Sequence, residues 1–396
     1  MTQDMLDLKD IQTAAEKIKN SIHKTPLIHS NSFSKMTGSE VYIKAENLQK
    51  TGSFKVRGAF NKLCDISRRK VIAASMGNHA QAVAFAAGRL GIQAKIVMPV
   101  TASIVKEEAA RAYGAQVITH GISFKEAFDY ARSQKDHTFI HAFDDEKIIA
   151  GQGTTGIEII GDLDNIDAVL VPVGGGGLIA GISVAVKSLS PGTMIIGVQS
   201  AAATSGYDSF KKKAVCEMQP LPTIADGIAI GKIGGTAFEI IEKYVDDMIL
   251  VDEDSIAAAI LLFLERKKLV VEGAGAVTLA ALLNSSGSFS GKRIVLLASG
   301  GNIDFTMVDR IIHRGLVTSG RIGVFNAVLD DVPGSLHAFT GIVFSHRGNI
   351  LSLVHDRFAG NLPMGKTKVA VCIEVRSRKH LEDILSDLDK KGFDVR

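Results

Sequence analysis

Apolar residues in this chain come in short runs, separated by stretches in which they recur every three or four positions. Val71-Ile72-Ala73-Ala74, Ala94 to Met98, Gln116 to Thr119 and Thr138 to Ala142 read as strands. A helix ending near Gly91 and helices over 103–113 and 123–135 separate them, while Tyr42 to Glu46 reads as a short strand ahead of the series. Strands alternating with helices in this way predict a parallel sheet covered by helices on both faces. The unit spans about 44–151, preceded by an amphipathic helix over 9–22.

A second series follows. Ala168 to Val173 is a buried strand opening into Gly174-Gly175-Gly176-Gly177 and an apolar helix to about Leu189, and Met194 to Gln199 is the next strand. The polar segment 201–222 reads as a surface excursion; helices over 254–269 and 274–284 lead to a strand, Arg293 to Ala298, that ends in Ser299-Gly300-Gly301-Asn302. In open parallel sheets, ligands sit beyond the carboxyl ends of the strands, so the loops at 75–79, 174–178 and 299–302 are expected to share one crevice. Past Gly320 the pattern changes to βαββαβ, with strands from 321, 350, 367 and 393 and helices from 334 and 378. That is a ferredoxin-like order, and it predicts a separate domain over 319–396 behind a two-part α/β domain over 1–318.

Composition narrows the function. With 396 residues, 46% apolar and 22% charged, the chain is an ordinary globular one, and a net charge of +3 gives no reason to expect nucleic acid or an anionic membrane as partner. Lys211-Lys212-Lys213 is a short basic run without aromatic residues between its lysines, as in a solvated loop. Cys64, Cys216 and Cys372 form no CxxC pair, which fits a reducing compartment without structural disulfides. The N-terminus has neither a signal peptide's apolar core nor a transit peptide's shortage of acids, and no window of ~18 uncharged apolar residues exists. A cytoplasmic location is the expectation.

The chemistry centres on Lys55, in Thr51-Gly52-Ser53-Phe54-Lys55-Val56-Arg57-Gly58. A lone lysine is usually solvated; one held partly dry among small and aromatic residues loses its charge more readily and becomes a nucleophile toward an aldehyde. Four consecutive glycines between a buried strand and a helix let backbone N–H groups and the helix dipole close on an anion, and phosphate suits them. A dinucleotide fits less well, because GxGxxG is absent and the next strand ends in Gln199 instead of an acid. Ser75-Met76-Gly77-Asn78-His79 offers donors suited to a carboxylate; capping of the following helix by Ser75 or Asn78 is the plainer alternative, and His79 reads more naturally as a hydrogen-bonded first-turn residue than as a base. Gly360 to Thr367 matches the P-loop pattern GxxxxGK[ST], but β-branched residues follow it where a helix is required, so a hairpin loop is expected. His137 and His141 lack a third ligand, and no GxSxG elbow occurs. A lysine nucleophile, a glycine phosphate cup and a polar serine at a strand end together suggest pyridoxal 5'-phosphate, with its pyridine nitrogen near Ser299.

On SFKVRG at 53–58, SMGNHAQ at 75–81, GGGGL at 174–178 and SGGN at 299–302, the chain resembles the threonine ammonia-lyases, or threonine dehydratases, of the β-family (fold type II) of pyridoxal-phosphate enzymes. The resemblance covers residues 5–318 and implies a two-part, open twisted parallel-sheet catalytic domain of the tryptophan synthase β-like kind. It implies that Lys55 carries the Schiff base and acts as general base, that Phe54 packs on the cofactor ring and that Asn78 bonds the 3-hydroxyl. It further implies that Gly174, Gly175, Gly176, Gly177 and Leu178 hold the phosphate, that Ser299 faces the ring nitrogen, and that Ser75, Gly77, Asn78 and His79 take the substrate carboxylate. Asp331-Val332-Pro333-Gly334-Ser335-Leu336 makes the C-terminal unit resemble an ACT domain, a module that commonly binds amino acids.

Two departures bear on substrate and ion. Serine racemases of this family carry a second serine just after the position of Ser75; Met76 stands here and cannot donate a proton. Gln199 and Ala201-Ala202-Ala203 replace the carboxylates that form a divalent-metal site in many relatives, so no metal is expected. The activity implied is β-elimination of threonine, with serine as a lesser substrate. An amino-acid or nucleotide effector and a homo-oligomer, tetramer or dimer, are expected. A serine ammonia-lyase or racemase, a β-replacement enzyme of the same fold, and an amino-acid sensor with an inactive lyase half are the alternatives.

Overall fold

The computed structural model describes residues 5–360 and 362–395. Helix α1 (Leu8–Ile18) starts at Asp7, whose carboxylate accepts from the backbone N of Asp10, and it buries Ile11, Ala14 and Ile18, positions three and four apart on one face. Then come β1 (Leu27–His29), α2 (Asn31–Thr37), β2 (Glu40–Ala45) and α3 (Lys55–Cys64). The expected alternation follows as β3 (Lys70–Ala74), α4 (Asn78–Leu90), β4 (Gln93–Met98), α5 (Ile104–Ala112), β5 (Gln116–Thr119), α6 (Phe124–Ser133) and β6 (Thr138–Phe139). The long α7 (Glu146–Asp162) leads to β7 (Ala168–Pro172), α8 (Gly177–Leu189), β8 (Met194–Ser200), α9 (Ser205–Lys212), α10 (Gly235–Tyr244) and β9 (Asp247–Val251). Helices α11 (Glu253–Leu262), α12 (Gly273–Asn284) and α13 (Ser286–Phe289) and strand β10 (Arg293–Ala298) complete this part.

Two sheets result. The smaller has the order β5-β4-β3-β6, all parallel; the larger has β1-β2-β10-β7-β8-β9, parallel except for β1 at its edge. The strand expected over 42–46 occupies 40–45 and lies in the larger sheet, paired with β10 from Arg293↔Glu40 to Ala298↔Ala45. The smaller sheet therefore begins at β3. Helix α7 escapes notice in the sequence because Gly151, Gly153 and Gly156 look like breaks; they serve close packing instead. A Cβ on Gly151 would come within 2.6 Å of the Cα of Gly58, so the backbones of α3 and α7 meet directly at this point. The helix expected over 254–269 ends at Leu262 and passes through a π-helical turn, Phe263–Lys267. The excursion at 201–222 contains α9. The three cysteines are free, and no helix among the described residues is long and apolar enough to cross a membrane.

A second compact unit begins at Asp304. It holds α14 (Phe305–Thr318), β11 (Ile322–Asp330), α15 (Ser335–Ser345), β12 (Asn349–Asp356), β13 (Lys366–Glu374), α16 (Arg378–Lys390) and β14 (Asp394–Val395). Its antiparallel sheet has the order β12-β13-β11-β14, over a core that includes Phe325, Phe339, Val371, Ile384 and Leu388. The P-loop-like residues Gly360 to Thr367 lie in the β12–β13 connection and run into β13, as β-branched residues dictate; Asn361 lies outside the described residues, as does Arg396 at the end of the expected last strand.

Candidate active site

Loops at the carboxyl ends of β3, β7 and β10 do meet, around a cavity of ≈ 290 Å³. Phe54, Lys55, Ser75, Gly77, Asn78, His79, Gly174, Gly175, Gly176, Gly177, Leu178 and Ser299 all line it. Every residue singled out in the sequence as a site residue thus lies on one cavity.

Lys55 opens α3. Its Nζ donates to the carbonyl of Ala142 at 3.0 Å and lies 5.1 Å from the ring centre of Phe54. Burial pushes the amine down to about 8, and the nearby Glu272 carboxylate restores part of its basicity. The backbone N of Phe54 donates to the carbonyl of Ser299 at 3.1 Å, which fixes the start of α3 to the end of β10. Beneath it, Arg57 makes two paired contacts. Its guanidinium reaches Glu46 at 2.7 and 2.8 Å and Glu158 at 2.7 and 2.9 Å. Lys44 joins Glu158 at 2.6 Å and the carbonyl of Thr25 at 2.7 Å. Arg57, Glu46 and Lys44 are fully buried, so α3 is pinned to β2 and α7 directly below the lysine.

The glycine loop joins β7 to α8. Gly176 has φ +93°, a left-handed conformation, and a Cβ on Gly175 would fall within 2.2 Å of the Phe143 ring. Bare backbone is therefore the only lining that fits. Gly175→Ala is expected to weaken cofactor binding by about tenfold or more, roughly 1.4 kcal/mol, read from cofactor absorbance across a binding titration.

The 75–79 loop begins with Ser75 accepting from the backbone N of Gly77 at 3.2 Å. The N-cap of α4 is Gly77 and no side chain caps it, which leaves Ser75 and Asn78 facing the cavity. His79 places Nε2 3.1 Å from the carbonyl of Ile140, and burial, with the charge of Lys55, pushes it down to about 3. It is a neutral hydrogen-bonded ring of the first helical turn. His141 uses Nδ1 to accept from the backbone N of Phe143 and of Asp144, shaping the turn that presents Phe143 to the glycine loop.

The lining also includes Asn302, of the loop expected at the crevice but given no role of its own, and Glu272, which was not singled out. Asn302 donates from Nδ2 to the Thr51 carbonyl at 2.8 Å and to Oδ1 of Asn78 at 2.7 Å, and Nδ2 of Asn78 donates to Glu272 at 2.8 Å. Burial pushes the Glu272 carboxyl up to about 7, against the Asn78 hydrogen bond. The signal for Glu272 was present, as one acid within the apolar run Leu269 to Val277.

A lysine of lowered basicity beside a side-chain-free loop at a helix N-terminus defines a class of cofactor enzyme, and the chain belongs to it: residues 18–300 match the family of pyridoxal-phosphate-dependent enzymes. Pyridoxal phosphate is the cofactor, and the residues present fit it, since a Cβ at Gly175 or Gly177 would fill the loop that suits its phosphate. More particularly, the chain is 47% identical over 399 residues to the L-threonine ammonia-lyase of Thermotoga maritima, covering 99% of both chains. It is 43% identical to the L-threonine ammonia-lyase of Geobacter sulfurreducens over 397 residues, 98% of each. Among solved structures it resembles the processed form of threonine deaminase isoform 2 from Solanum lycopersicum, with TM-score 0.74, 38% identity and coverage of 77% of this chain and 86% of that one.

Proposed function

We propose that the protein is a threonine ammonia-lyase, converting L-threonine, and serine less well, to the 2-oxo acid and ammonia. The observation that carries this reading is the placement of the Lys55 amine, bonded to the Ala142 carbonyl, on the same cavity as the glycine loop. When bound, pyridoxal phosphate supplies the sink for the electron pair released at the substrate α-carbon. Lys55 would hold the cofactor and then, freed by the substrate amine, take the α-proton at Nζ; its lowered basicity leaves about a tenth of it uncharged at pH 7, far more than an ordinary lysine, as a general base requires. Ser75 and the backbone of Gly77 to His79 receive the substrate carboxylate. Phe54, Asn78 and Ser299, which line the cavity, would hold the ring, its 3-hydroxyl and its nitrogen respectively, and the neutral hydroxyl of Ser299 would not hold a proton at that nitrogen as an aspartate would. For threonine, loss of the α-proton and the β-hydroxyl as water gives an enamine that hydrolyses to 2-oxobutanoate and ammonia. Met76 carries no exchangeable proton for the opposite face, so racemisation is not the main reaction.

The segment 319–396 is read as an ACT regulatory domain, supported by its βαββαβ order and by Asp331 to Leu336. A branched-chain amino acid is the effector favoured, because the product stands ahead of isoleucine in biosynthesis; AMP is the alternative. The enzyme is placed in the cytoplasm as a homo-oligomer. One assay of keto-acid release from threonine and serine, with and without isoleucine, valine and AMP, tests both parts. Threonine is expected to turn over faster than serine, and isoleucine to change the rate several-fold, about 1 kcal/mol or more of coupling. A response unchanged by removal of 321–396 would refute the regulatory reading, and a colourless protein releasing no keto acid would refute the enzymatic one.

A further inference from the structure

Glu272 lies on the same cavity as Lys55, and no step above uses it. It is 4% exposed and forms the N-cap of α12. One oxygen accepts from Nδ2 of Asn78 at 2.8 Å, while Asn302 holds the other end of that amide at 2.7 Å. Gly300 leaves room for it, since a Cβ there would come within 2.4 Å of Oε1. A neutral side chain of the same length would accept the same hydrogen bond without the cost of burying a carboxylate. What only the acid adds is charge.

The charged groups acting on Glu272 come from three elements. Asp226 and Lys106 are paired with each other at 2.8 Å and act on it in opposite senses. Lys55 is the third, and its cationic form is the one Glu272 favours. We propose that Glu272 is a positioning residue: its carboxylate fixes the rotamer of the Asn78 amide, and its negative charge keeps the nitrogen of Lys55 cationic while the cofactor is attached there. The second N–H of Asn78 is then left for the cofactor hydroxyl. This rests on the reading of Lys55 as the cofactor-bearing lysine.

Burial works against the charge. With the carboxyl at about 7 in the folded protein and 4.5 ordinarily, the folded chain holds a proton between those values that the unfolded chain does not. Stability is thus gained at low pH and lost as pH rises through about 7, the window in which the carboxylate forms. The cavity tolerates this charge for what it does to its neighbours.

The test is a spectrophotometric pH titration of the holoenzyme, following the visible band of the lysine-bound cofactor. E272Q is expected to show its midpoint about one pH unit or more below wild type, a tenfold loss of proton affinity. E272D, which keeps the charge, is expected to titrate with wild type. A coloured E272Q with the wild-type midpoint overturns the proposal, and so does an E272D midpoint displaced as far as that of E272Q. Should E272Q be recovered unfolded, E272S takes its place in the comparison. A wild-type protein without the band would mean instead that the assignment of Lys55 fails.

Discussion

Lys55→Ala is expected to lower threonine turnover by a factor of about 10³–10⁴ or more, with loss of the visible absorbance of lysine-bound cofactor. Two losses combine in this variant. Without Nζ the cofactor is held only by its phosphate loop and ring contacts, and no other lining group stands ready to take the α-proton. His79 is engaged by Ile140 and stays neutral because burial disfavours its cation, while Glu272 is committed to Asn78. The fold should survive, because among the described residues Nζ makes one hydrogen bond, to the carbonyl of Ala142. Keto-acid release and absorbance measured on the same preparation separate the outcomes. Colour and turnover near wild type would place the chemistry on another residue.

Arg57→Ala is expected to reduce stability by about 3–5 kcal/mol, the cost of stranding a buried carboxylate. Glu46 is fully buried, and burial alone would push its carboxyl up; the charge and hydrogen bonds of Arg57 outweigh that and hold it below its ordinary value of 4.5. In wild type this pair therefore contributes stability that is present above the ordinary carboxylate range and lost as pH falls through the depressed folded value. The variant lacks that contribution, so its deficit should narrow as the medium is acidified toward pH 4. Arg57→Lys should recover only part of the loss, because an ammonium group cannot make two paired contacts at once. Thermal denaturation across pH 4 to 8 measures all three proteins, and an Arg57→Ala protein as stable as wild type would mean the ion network is dispensable.

Much of this was legible in the sequence, and what was not has physical causes. The strands of both sheets show as apolar runs, because parallel strands are covered on both faces and have no polar side to disguise them. Lys55, the glycine loop and Ser299 show because their chemistry needs particular residues in short stretches. Helix α7 did not show, since its glycines answer to a neighbouring backbone that only the fold supplies. The place of β2 was hidden for a similar reason. Its partner β10 lies some 250 residues away, and a local pattern cannot name a distant partner. Glu272 and the part played by Asn302 were not legible because they lie in a chain of hydrogen bonds running from Thr51 through Asn78, which joins four segments far apart in sequence.

One arrangement in the cavity reaches beyond any single side chain. Helices α3, α4, α8 and α12 begin at Lys55, Asn78, Gly177 and Gly273, and all four N-termini turn toward the same space. Each carries roughly half a positive charge from its unpaired N–H groups. Among the described residues no arginine lines the cavity, although the cofactor arrives as an anion and the amino-acid substrate carries a carboxylate. Part of the attraction for these anionic groups is thus built into the peptide backbone, and reagents that modify arginine should leave both ligands still able to bind.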